Sequence, residues 1–144
     1  MESLLIERLR KSFALWEDLA MHLPQEAFTT CLPVPSNMIG EQFWCLIGAR
    51  ESYTRAVSAG SWQGFACSLT TDEIASREGT LRGLQGSAEG FVSTVASLDW
   101  DDARLCILLE LLEHEVQHMG QLIRYCYGLG YDFPPSWQKR WALG

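Results

Sequence analysis

Apolar residues return every three or four positions through four long segments of the chain, and nowhere do they alternate singly for long enough to suggest a strand. The first segment carries Leu4, Leu5, Leu9, Phe13, Trp16, Leu19 and Leu23, with Glu7, Arg10, Lys11, Glu17 and Asp18 between them. That spacing lines one face of a helix and predicts one from Ser3 to near Pro24. His22 falls in its last turn, where the helix dipole favours a cationic ring, and is assigned a structural role.

Pro24, Pro33 and Pro35 mark an extended connection, after which Ser36 and Asn37 can cap a second helix running to about Ala59 and closed by Gly60. Its apolar face holds Ile39, Phe43, Leu46, Ile47 and Tyr53. A long aromatic connector with Trp62 and Phe65 follows. Thr70 and Glu73 have the spacing of a capping box, predicting a third helix with Ile74, Leu81, Leu84, Phe91, Val95 and Leu98 on its core side. Gly79, Gly83, Gly86 and Gly90 form a second stripe on that helix. Each glycine costs roughly 1 kcal/mol relative to alanine, so the stripe is expected to lie against another helix, or else the segment breaks.

Asp99 and Asp101 supply caps for a fourth helix, which ends at Gly128 and Gly130. Pro134, Pro135 and Ser136 then introduce a short turn with Trp137 and Trp141 on one face. The fold class that follows is all-α: an antiparallel four-helix bundle over residues 1–144 as a single domain, with a long connector between helices two and three and a short C-terminal helical turn. Helices two and four are expected to run parallel in such a bundle.

Composition narrows the function classes. With 47% apolar and 20% charged residues the chain is an ordinary globular protein, and no stretch approaches the roughly 20 apolar residues of a membrane span. The N-terminal residues lack the basic-then-apolar layout of a secretory signal, so a cytoplasmic protein is expected. A net charge of −7 without a basic cluster argues against nucleic acid as a partner. Five cysteines, Cys31, Cys45, Cys67, Cys106 and Cys126, share no C-x-x-C spacing and are expected to be small buried apolar groups for the most part.

The chemistry concentrates in the fourth helix, at His114-Glu115-Val116-Gln117-His118. Residues four apart on a helix share a face, so the two imidazoles could hold one ion; they could equally sit in a polar seam of the bundle. The pentad matches the zinc-peptidase pattern, but neither the downstream glycine and histidine nor a suitably placed third carboxylate follows it. Glu115 points about 100° away from His114 and is not assigned the role of general base.

Three stretches together resemble the DinB/YfiT-like superfamily of four-helix metal-dependent proteins. They are His114-x-x-x-His118 followed by Gly120-Gln121, the closing Gly130…Phe133-Pro134…Trp137…Trp141, and Ile39-Gly40-Glu41-Gln42-Phe43-Trp44-Cys45 in helix two. The resemblance implies a divalent metal, zinc or nickel, held by the His114–His118 pair and by a third ligand from helix two. The family's usual histidine at that third place is here Cys45. A thiolate can replace an imidazole as a zinc ligand, and the substitution can equally mark loss of the metal. Gln42, with Glu41, is a substitute ligand one turn earlier; Gln42 and Gln121 are also the residues expected at the substrate, and Gln121 could orient a bound water.

The function implied is a divalent-metal-dependent enzyme, a thiol-dependent transferase or a hydrolase-like protein, whose partners are a small-molecule substrate or a low-molecular-weight thiol. The alternative is a non-catalytic bundle that binds a small ligand. A homodimer is expected in either case, and in the non-catalytic reading the bundle can instead be a dimeric interaction module with the glycine stripe as its contact.

Overall fold

The computed structural model describes residues 1–144 and contains six α-helices and no strand. Four are long: α1 (Glu2–His22), α2 (Ile39–Ala59), α4 (Arg77–Val95) and α5 (Asp102–Leu129); α3 (Thr71–Ile74) and α6 (Pro135–Trp141) are short. A 3₁₀ turn, Gln25–Thr29, follows α1. No helix is long and apolar enough to cross a membrane.

The ends of these helices follow local chemistry, with two departures from expectation. Gly60 and Gly130 adopt left-handed φ of 81° and 74° and close α2 and α5, as their lack of a Cβ permits. Asp101 caps α5 by accepting from the Arg104 amide at 2.8 Å. The cap of α2 is not Ser36 or Asn37. Glu41 reaches back to accept from the Met38 amide at 2.7 Å, while Ser36 accepts from the Leu32 amide and the Asn37 carbonyl accepts from the Tyr125 hydroxyl. Thr70 and Glu73 do form the capping box, but the helix they open ends after one turn. Ser76 then caps α4 by accepting from the Gly79 amide at 3.1 Å, so the expected third helix is two.

The cross-bundle contacts give the directions of the helices. Asn37, just ahead of α2, and then Gln42, Arg50 and Val57 along it meet Tyr125, His118, Glu115 and Arg104 of α5, so residue numbers rise on one helix as they fall on the other. Hence α2 and α5 are antiparallel, which corrects the parallel arrangement expected from a simple up-down-up-down bundle. Helices α2 and α4 instead share a direction: Ile47 lies at Gly83 and Arg50 at Leu84, while Gly40 nears Ile74 just ahead of α4.

Parallel neighbours need a return path as long as the helix. At about 1.5 Å per residue α2 spans roughly 30 Å, a distance that Gly60–Thr70 covers only when nearly extended. The connector does run back along α2. Trp62 packs on Tyr53, the Ala66 amide donates to the Ser52 hydroxyl, Ser68 donates to Glu51, and Trp44 donates through Nε1 to the Leu69 carbonyl.

The larger core cluster joins Trp16 and Leu19 of α1 and Leu23 just after it to Phe43, Leu46 and Ile47 of α2, Met119 and Leu122 of α5, and Trp137 of α6. Trp137 is fully buried and donates through Nε1 to the Leu15 carbonyl at 2.6 Å, which fastens α6 onto α1. His22 bonds Asp132 at 2.9 Å and ties the end of α1 to the segment after α5, in keeping with its structural assignment.

The glycine stripe divides. A Cβ on Gly79 would collide with the Glu73 carbonyl at the α3–α4 break, and one on Gly83 with Leu69 and Ile47. Gly86 and Gly90 are exposed and have nothing within 4 Å of a Cβ position, so the expectation of one continuous packed stripe is corrected to two packed glycines and two open ones. Gly79→Ala should therefore lose about 1–3 kcal/mol of stability, because the colliding atom is backbone. Gly86→Ala should gain about 0.5–1 kcal/mol through helix propensity and a less flexible unfolded chain. Thermal unfolding of the two variants checks this contrast, and a gain in both would place Gly79 in open space as well.

Candidate metal centre

The core-facing register of α5 runs through Leu108, Leu111, Glu115, His118, Met119 and Leu122, all buried. His118 thus belongs to the helix's inner face, and His114, one turn earlier, is half-buried beside it with ring centroids 4.5 Å apart. From α2, Cys45 presents its Sγ 3.9 Å from His114 Nε2. One ligand atom from each of Cys45, His114 and His118 lies within 4.8 Å of the others. The structure therefore joins the three residues named as metal ligands, although from antiparallel helices.

Their chemistry fits a divalent ion. With ligand bonds of about 2.3 Å to sulfur and 2.0 Å to nitrogen, a tetrahedral ion holds its donors about 3.5 Å apart, so closing the cluster requires movements of an ångström or less. Burial lowers the pKa of both imidazoles: His118 falls to about 4, with the charge of His114 adding to the effect and the Gln121 side chain opposing it. Both rings are neutral near pH 7 and keep lone pairs to offer. Burial also pushes the Cys45 thiol up, so a thiolate there requires a compensating cation.

Gln42 fixes the orientation of His118. Its Oε1 lies 2.8 Å from Nδ1, and since an amide oxygen can only accept, Nδ1–H donates and Nε2 is left with the free lone pair. Gln42 was expected at the substrate; the structure places it, buried, behind His118, where it acts on the orientation of that ring. Gln121 is exposed, one turn beyond His118. Glu41, the other substitute ligand, is spent on the α2 cap.

Glu115 is fully buried and receives Arg50 through Nε at 2.6 Å and Nη2 at 3.1 Å, with the Ser12 hydroxyl donating at 2.8 Å. A carboxylate engaged in this way cannot act as general base at the neighbouring imidazoles, which removes the peptidase reading. Arg50 was not singled out from the sequence. Its signal was present: it continues the Phe43, Leu46, Ile47 register on the inner face of α2, as Glu115 does on α5.

The cysteines depart from expectation. Only Cys126 is fully buried, where burial raises its pKa to about 12; Cys45 and Cys67 are half-buried, Cys31 and Cys106 are exposed, and none is paired.

The neutral His118 makes stability pH-dependent. In the unfolded chain its ring takes up a proton near 6.5, in the fold only near 4, so the unfolded state binds more protons between those values. Metal-free protein should lose about 3 kcal/mol as pH falls from 6.5 to 4, and His118→Asn should remove that part of the slope. Urea unfolding at several pH values in chelator measures it; identical slopes in both proteins would contradict a neutral buried ring.

The chain is thus an all-helical protein with a Cys/His₂ cluster that could hold a metal ion. Comparison with protein-family models, with curated proteins and with solved structures gives no match.

Proposed function

We propose that this protein is a divalent-metal-dependent enzyme of the DinB/YfiT-like kind, with Cys45, His114 and His118 as the ligands. The observation that carries the reading is their convergence: a thiol and two neutral imidazoles within 4.8 Å, with one ring oriented by Gln42. An N₂S donor set suits zinc, with nickel the next choice, and a bound divalent ion supplies Lewis acidity and lowers the pKa of a water or thiol.

The chain's own residues do the rest. Gln42 holds the His118 tautomer, and the Arg50–Glu115–Ser12 network fixes the rotation of α5 on which both histidines depend. Tyr53 lies beside His114 with a ring distance of 6.4 Å and is itself covered by Trp62, which gives a substrate an aromatic wall. A low-molecular-weight thiol and a small electrophile are the proposed reactants.

Metal analysis of untagged protein purified without added metal tests this. About one zinc or nickel per chain is expected, together with thiol consumption that chelation abolishes. Absence of metal after purification and after reconstitution would favour the non-catalytic bundle.

A further inference from the structure

A groove between α1, α5 and α6 differs in composition from the rest of the molecule. Four of the chain's eleven lysines and arginines, Arg8, Lys11, Lys139 and Arg140, line it beside a single acid, Asp18, although the net charge is −7. Arg8, Lys139 and Arg140 form no ion pair, and Lys11 has only an exposed 3.4 Å contact with Glu7. Cations gathered without partners on an acidic protein hold a local positive potential.

Between these charges the wall is apolar. Leu15, Leu112, Met119 and the Trp141 ring contribute to it, as does Val116, which is 41% exposed. The volume of about 600 Å³ falls in the range of small-molecule pockets. Two groove-lining residues also carry buried polar atoms without a hydrogen-bond partner, Ser136 Oγ and Trp141 Nε1. The indole N–H can only donate, so what it lacks is an acceptor. The Arg140 guanidinium lies over the same ring, 4.1 Å from its centroid.

We infer that this groove binds a small amphipathic anion, a free carboxylate on a hydrocarbon body. The carboxylate meets Lys139 and Arg140, and the hydrocarbon lies along the apolar wall toward Leu112 and Val116. A purely apolar ligand would leave the cations unused. A purely ionic one would leave the wall in water. None of the groove residues is a proposed metal ligand, so the inference does not rest on the metal centre.

Isothermal titration with decanoate, decan-1-ol and decyltrimethylammonium tests the inference. Decanoate should bind one-to-one and at least about tenfold more tightly than either control, given charge attraction in a partly enclosed site. Lys139→Glu combined with Arg140→Glu should weaken decanoate about tenfold or more. Arg82→Glu, an exposed cation outside the groove, should leave the affinity unchanged. Unchanged melting of the ligand-free variants shows that the fold is retained, and chelator-treated wild type should bind as well as untreated protein. Equal affinity for all three probes, or indifference to charge reversal in the groove, would overturn the proposal. Sedimentation with phosphatidylglycerol vesicles in the absence of decanoate binding would overturn it in favour of a membrane surface.

Discussion

Arg50→Met and Glu115→Leu should each destabilise the protein by about 3–5 kcal/mol, and the double variant should recover most of that loss. Each single change leaves one charge fully buried without its partner. Both side chains have no solvent exposure, and the surroundings, with the Phe13 ring 4.2 Å from the guanidinium and the Leu84 carbonyl at 3.4 Å, cannot neutralise a lone charge. Replacing both by apolar groups of similar size removes the desolvation cost together with the attraction, which is why the pair can be exchanged more cheaply than it can be broken. Since folded domains are stable by only about 5–15 kcal/mol, either single variant should have a much lower urea midpoint. Two small and additive losses in the double-mutant cycle would mean that Arg50 and Glu115 are not coupled. Glu115 lies between His114 and His118 on α5, so the single variants should also weaken metal retention.

His114→Ala or His118→Ala should reduce metal affinity by about three orders of magnitude. Structural zinc in zinc-finger peptides is bound with about 10–16 kcal/mol, and on that scale removing one of three protein ligands forfeits roughly a third. Cys45→Ser should weaken binding as well, because a hydroxyl does not ionise near neutral pH and is a poor substitute for thiolate. Gln42→Leu tests orientation rather than ligation: the ligands remain, the Nδ1 partner is lost, and a drop of about 10–100-fold is expected. Competition with a chromophoric chelator measures the series. Unchanged affinity in Cys45→Ala would remove the thiol from the centre, and equal retention by both histidine variants would leave the pair as a polar seam.

The sequence by itself determined the four long helices, though not the break that divides the third predicted one into α3 and α4. The three-to-four spacing of Leu9, Phe13, Trp16 and Leu19, and the corresponding runs in α2, α4 and α5, reflect the pitch of a helix, and that periodicity survives any tertiary arrangement. Gly60, Gly130, Asp101 and the Thr70–Glu73 pair acted through contacts within a few residues, so their roles were legible as well. The His114–His118 juxtaposition is also local, fixed by one turn of helix.

Tertiary structure decided what depends on distant partners. Local periodicity carries no information on direction, so the antiparallel course of α2 and α5, and the extended return through Gly60–Thr70, became visible only in the cross-bundle contacts. The same holds for Gly79 and Gly86, identical in sequence terms, of which one lies under a backbone carbonyl and the other faces open space. Gln42 reads as a candidate at the substrate until His118 stands beside it, and Arg50 has no role until Glu115 does. A side chain's role in these cases is set by the group it meets 65 or 76 residues away, and only the packing of one helix on another brings that group within hydrogen-bond distance.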